Sequence, residues 1–159
     1  TPFREYKHWV HEGGISTPLI AHWPAGISSK GELRKTPGHL IDIMATCVDV
    51  SGARYPASAP PMEGKSLIPS FTGKGLAERP LFWEHEGNRA VSLGDWKAVA
   101  KGPGGEWEMY NLGTDRVESR DLAKEQPERL RDLVRRWEAY AKRANVLPWV
   151  WNPPYSFLK

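Results

Sequence analysis

The 159 residues predict an α/β chain, and three patterns carry that prediction. A proline-bracketed apolar run leads into a helical repeat, a block of strand patterns broken by glycines follows, and an amphipathic helix closes the regular part. The fold class follows from that order, with a strand and helix first and a small antiparallel sheet packed on a C-terminal helix second.

The first pattern is TPLIAHW, Thr17 to Trp23, short, apolar and held between Pro18 and Pro24, which reads as a strand buried on both faces. After a loop from Ala25 to Pro37, HLIDIMATCVDVSG sets Leu40, Ile43, Met44 and Cys47 at helical spacing and ends at Gly52, a good helix stop. Residues 53 to 64 carry three prolines and no periodicity, so they predict an extended connection, and Ser66 to Phe71 fit one short helical turn. From Arg79 onward PLFWEHEG, NRAVSLGDWKAVAKG and GEWEMYNLGTD read as a meander of three or four strands, broken at Gly94-Asp95 and at Gly102 to Gly105. A helix opens near Pro127 with Leu130, Leu133, Val134, Trp137 and Ala141 on one stripe and Arg129, Arg136, Lys142 and Arg143 away from it. Trp83, Trp96, Trp107 and Trp137 fall at positions compatible with one core, and the tail LPWVWNPPYSFLK reads as an extended surface segment in which Trp149 and Trp151 are the candidates for an outside contact.

Composition excludes several classes. At 40% hydrophobic residues the chain can bury a core, yet no run reaches the roughly 18 to 20 apolar residues of a membrane span, and TPFREYKHW has no signal-like apolar segment. A net charge of +3, with 22 basic residues set against 19 acidic ones, is not that of a nucleic-acid binder. The single cysteine, Cys47, rules out an internal disulfide and a multi-cysteine metal site.

The densest chemistry lies in YKHWVHEGGISTP, Tyr6 to Pro18. This K-x4-E-G-G-I-x-T-P, followed by HLIDIMAT and WEMYNLGTDRVESRDLA, resembles the C-terminal part of the formylglycine-dependent sulfatases, the arylsulfatase-like branch of the alkaline-phosphatase superfamily. The likeness runs from about Tyr6 to Ala123. It implies an alkaline-phosphatase-like fold in which residues 1–65 end a catalytic α/β domain and residues 66–159 form a small C-terminal subdomain. It implies a sulfate ester substrate, sulfuric ester hydrolase activity in the full-length enzyme, and a periplasmic or secreted location.

The resemblance also implies that Lys7 contacts the sulfate group, where a fixed ammonium stabilises developing negative charge. Gly13 and Gly14 would allow a tight turn, positive φ being open to them, and Glu12 would anchor it by accepting backbone N–H bonds. In an extended loop, alternation would put Trp9 and His11 on the Lys7 side, as further substrate-binding candidates, and turn His8 away. At the end of the first meander strand, EHEGN offers His85 and Asn88 for the non-sulfate part of the substrate, against the plainer reading of a solvated turn. His39 and Asp42 match an H-x-x-D pattern and read as a capping or buried pair.

The departures matter equally. No C-x-P-x-R or S-x-P-x-R motif occurs, Cys47 being followed by Val48, and Asp42 and Asp49 do not converge as metal ligands would. Calcium and formylglycine are therefore expected in the full-length enzyme and not on residues of this chain, which is expected to be inactive alone. Its partners would be the missing N-terminal sulfatase domain and copies of itself. Two other classes stay open: a stand-alone module binding aromatic or carbohydrate ligands through exposed coplanar tryptophans, and a truncated interaction domain with a large apolar face.

Overall fold

The computed structural model describes residues 2–147, so the tail with Trp149 and Trp151 lies outside the described residues. The described residues divide into two compact units, one gathering 2–18 with 78–147 and the other holding 19–77.

The first unit is built on a four-stranded antiparallel sheet in the order β1 (Leu81–His85), β2 (Asn88–Leu93), β3 (Trp96–Ala100), β4 (Glu108–Asn111). The β1–β2 turn uses Glu86 and Gly87, both at positive φ (53° and 83°), the backbone of a two-residue hairpin whose twist suits antiparallel strands. Residues 90 and 91 in β2, 98 and 99 in β3, and 109 and 110 in β4 are buried in succession, because both faces of the sheet are covered. Val91, Ala98 and Met109 face one way, against Leu133, Trp137 and Ala141 of the C-terminal helix Pro127–Arg143, which packs across β2 and β3. Ala90, Val99 and Tyr110 face the other way, against Val10 and Ile15 of the N-terminal segment. The meander and its helix are as the sequence predicts. The tryptophans, however, divide between the faces. Trp96, Trp107 and Trp137 join the helix side, whereas Trp83, paired in register with Ala90, is carried to the opposite side.

The second unit is organised by a buried carboxylate. Taking the one-turn helix Glu12–Ile15 as α1, the helix Ile41–Ser51 is α2, the turn Ile68–Phe71 α3 and the C-terminal helix α4. Asp42, fully buried, accepts the backbone N–H of His39 (2.8 Å) and of Lys65 (2.8 Å). Thr46 donates to the Asp42 carbonyl (2.7 Å) and accepts the Leu67 N–H (2.9 Å). Gly64 approaches so closely that a Cβ there would lie 2.1 Å from the Ile41 carbonyl oxygen. The returning segment thus lies on the Asp42–Ala45–Thr46 face, and His39 and Asp42 form the capping pair their spacing predicts.

Leu40, Ile43, Met44 and Cys47 form an apolar face that stays exposed, since polar bonding has put the opposite face of α2 against the chain. One expectation fails here: Thr17 to Trp23 is not a strand. Its backbone pairs with no strand among the described residues, and Leu19 and Ile20 stand exposed, Ile20 at 90%. Periodicity locates an apolar face and leaves open what covers it.

The exposed Leu19, Ile20, Leu33, Leu40 and Met44 should make the chain self-associate. Light scattering over a concentration series should show growth in mass, with binding of a dye specific for exposed apolar surface. A monomeric, dye-negative chain with both segments ordered would contradict this.

Candidate functional site

The motif around Lys7 is held against the β1–β4 sheet by buried charges. The Glu12 carboxylate takes the Lys97 ammonium (Oε1, 3.1 Å) and the Arg116 guanidinium (Oε2, 3.3 Å). Lys97, on β3 with no exposed side-chain area, also lies 2.8 Å from Glu118 Oε1, while Glu118 Oε2 accepts the Glu12 backbone N–H at 2.8 Å. One buried ammonium therefore joins two carboxylates from segments over a hundred residues apart in sequence. Glu12 anchors the turn as expected, by a different bond: its side chain binds cations, and its own N–H is the group that is accepted.

The two glycines follow from that anchor. Both sit in the single turn of α1 and neither has positive φ. What requires glycine is contact. A Cβ on Gly13 would lie 2.0 Å from the Glu5 carbonyl oxygen, and one on Gly14 would lie 1.9 Å from that of Trp9. Gly13 N–H donates to the Arg4 carbonyl at 2.8 Å. Residues 4–9 thus pack backbone to backbone on the Glu-Gly-Gly turn, where any side chain would push them off.

Residues 6–9 are a turn closed by Trp9 N–H to the Tyr6 carbonyl (3.1 Å), with His8 at φ 87°. Alternation of an extended loop therefore does not apply. Lys7 is exposed, while His11 is 1% exposed and points into the sheet side. His8 is brought instead to the β1–β2 hairpin, its Nδ1 2.7 Å from Glu86 Oε2 and its ring perpendicular to that of His85. Trp9 is half-buried, with the Lys101 ammonium 5.0 Å from its ring. His85 is exposed at the end of β1. Asn88 is buried and its amide is spent on backbone: Nδ2 donates to the carbonyls of His8 (3.2 Å) and His85 (2.9 Å), and Oδ1 accepts the Gly102 N–H.

Beside the Lys97 cluster lies a second one. Glu108 on β4 receives Arg4 through both oxygens (2.8 and 3.3 Å), the Tyr110 hydroxyl (2.6 Å) and His11 Nε2 (3.2 Å). A carboxylate only accepts, so His11 carries its proton on Nε2. The His11 hydrogen bond first, then Tyr110 and Arg4, hold the Glu108 carboxyl at about 2, against an ordinary 4.5. Burial, then the adjacent Glu108 carboxylate, push the Tyr110 phenol upward. Arg4, Glu108, Tyr110 and Glu118 line an open depression, but their mutual bonding is that of a structural pin for residues 4–12.

Lys97, Glu118, Glu108 and Glu86 are the groups that reading the sequence leaves out, and His8 enters it only as turned away from Lys7. Only Lys97 carries a local signal, a lysine inside the otherwise apolar strand pattern WKAVA. Among the described residues no three carboxylates converge as calcium would need; the one grouping of ligand atoms is His8, His85 and Glu86. No described helix is long and apolar enough to cross a membrane.

No family model matches the chain. It is 33% identical over 116 residues to the N-acetylgalactosamine-6-sulfatase of Mus musculus, covering 72% of this chain and 22% of that protein. It is 30% identical over 158 residues to an uncharacterised sulfatase of Schizosaccharomyces pombe, covering 92% and 28%. A Bacteroides thetaiotaomicron structure, described for glycosaminoglycan metabolism as a 6S-sulf protein, superposes with a TM-score of 0.76 at 24% identity, over 89% of this chain and 32% of its own. That of Ps i-CgsB superposes with a TM-score of 0.75 at 24% identity, over 88% and 32%. The chain therefore spans about a quarter of the length of the curated relatives it matches.

The Glu108 pin has a pH signature. A carboxyl held at about 2 when folded, against 4.5, adds stability that is complete above pH 4.5 and lost as pH falls towards 2. Urea midpoints of the parent chain and Glu108→Gln should therefore differ most above pH 5 and converge across that window. A gap unchanged from pH 6 to pH 2 would show that Glu108 is not so held.

Proposed function

As the chain belongs to the sulfatase family, of which it is a C-terminal segment with the alkaline-phosphatase-like fold, we propose that it serves in hydrolysis of sulfate esters and that Lys7 contacts the sulfate. The observation that supports this is the setting of Lys7: an exposed ammonium on a turn that the Glu12–Lys97–Glu118 cluster, two close-packed glycines and the Asn88 amide all hold in place. A positive charge fixed before the reaction stabilises charge developing on sulfuryl oxygens without reorganising in the transition state. Trp9 and His85 are the other substrate-facing groups in this reading. His11 and Asn88, both buried, position the turn.

Relatives favour a sulfated sugar as substrate. One is named for the 6-sulfate of N-acetylgalactosamine, and the structure of Ps i-CgsB is described in complex with a neocarrahexaose. We take residues 1–65 as the end of the catalytic domain and 66–159 as the subdomain that shapes access to it. The nucleophile and calcium would come from the preceding domain, because no residue pattern here fits either: Cys47 lacks the C-x-P-x-R context, and the clustered donors are two imidazoles and a single carboxylate rather than the six or more oxygens calcium takes. A periplasmic or secreted location accords with the family. The binding-module alternative needs exposed coplanar tryptophans, and the one tryptophan ring pair among the described residues is edge-on, with Trp137 buried.

The experiment joins this segment to a catalytic domain carrying C-x-P-x-R and assays a sulfated sugar, with the segment alone as control. The segment alone should show no turnover. In the joined protein, Lys7→Ala should lower kcat about 10²-fold or more with little change in KM, by analogy with losing one oxyanion donor. An unchanged kcat in a folded variant would remove Lys7 from the site.

A further inference from the structure

His8 and Glu86 have no task in the reading above and His85 only an outward-facing one, yet each of the three offers one ligating atom, and these atoms lie within 4.8 Å of one another. We propose that they form a site for a divalent transition-metal ion of the zinc type, which fastens the Lys7 turn to the β1–β2 hairpin.

Several independent features point there. His85 ends β1 and Glu86 is the first residue of the hairpin turn, while His8 comes from the distant N-terminal turn, so the three arrive on two separate segments. Asn88 sets their spacing, its buried Nδ2 donating to the carbonyls of both histidines. His8 holds a left-handed φ (87°), which costs free energy in a residue with a Cβ and is retained where the surroundings enforce it, whereas that of Glu86 belongs to the hairpin turn. Glu86 Oε2 is buried and accepts no aligned hydrogen bond, although His8 Nδ1 is 2.7 Å away. Both atoms are metal-ligand types, and an ion would bind them in place of the proton they can otherwise share. Two imidazoles and a carboxylate are a donor set for zinc and its neighbours, commonly with a fourth position left to water or another ligand. Zinc holds such ligands at about 2.0–2.2 Å, so the three side chains would have to close on the ion. Lys7 precedes His8 directly, so an ion there would restrict the turn that presents the ammonium. That consequence rests on the sulfatase reading; metal binding does not.

The test uses the untagged chain in a Cys47→Ser background, which removes the exposed thiol as a competing ligand. Zinc is titrated calorimetrically, cobalt absorption reports coordination, and nitrogen NMR follows the histidine rings. We expect one zinc per chain, with the ring nitrogens of His8 and His85 shifting together. His85→Ala and Glu86→Gln should each weaken binding by about tenfold or more, and His22→Ala should not. Absence of saturable zinc binding, or ring shifts confined to other histidines, would overturn the site. So would an affinity in both ligand variants unchanged from that of the parent chain, which would leave His8 and Glu86 as an ion pair only. The NMR arm needs no variant, so the outcome is decided even if one fails to fold. Turnover is not measured, so failure here leaves the role of Lys7 untouched.

Discussion

An ammonium and two carboxylates share a volume closed to water where Lys97 meets Glu12 and Glu118. Removing charges from water is expensive, and such a set persists only when each member is compensated by another or by a backbone group. Here the compensation runs through the chain: Glu118 takes the Glu12 N–H, and Arg116 takes the second Glu12 oxygen. Deleting the lysine would leave two buried anions facing each other, a loss of about 3–5 kcal/mol by comparison with broken buried pairs. The Glu-Gly-Gly turn is therefore as firmly placed as the sheet beneath it. Its glycines then dictate where residues 4–9 run, and that path decides that Lys7 faces outward and His8 meets the hairpin.

The two faces of the sheet divide the work. On the α4 side the core is apolar, with Leu133, Trp137 and Ala141 covering Val91, Ala98 and Met109. The other side is mixed, apolar around Val10, Val99 and Tyr110 and ionic around Lys97 and Glu108. An apolar contact tolerates sliding, whereas hydrogen-bonded charges are directional. Placing the directional contacts under the N-terminal segment suits a turn whose task is to aim one ammonium.

Much of this was legible in the sequence wherever one local pattern decides the outcome. Alternation and glycine breaks located β1–β4, Pro127 and the Leu133–Trp137–Ala141 stripe located α4, and H-x-x-D located the Asp42 cap. The K-x4-E-G-G spacing singled out Lys7. What escaped depends on partners distant in sequence. Nothing beside Glu118 shows that it meets Lys97, and nothing beside His8 shows that its backbone adopts a left-handed turn next to His85. What covers Leu40, Ile43 and Met44 is likewise not written beside them. An apolar stripe marks a face suited to burial, but on α2 the bonds of Asp42 and Thr46 turned the other face inward.

The central claim is that buried charge makes the Glu-Gly-Gly turn one cooperative unit with the sheet. Residue-resolved amide hydrogen exchange tests it without altering a side chain. The Glu12 N–H, bonded to Glu118, and the Gly13 N–H, bonded to Arg4, should exchange only with global unfolding, at the free energy found for Ala98 and Val99 in β3. Exchange of Glu12 and Gly13 through a far cheaper local opening, while the strand amides stay protected, would contradict the account.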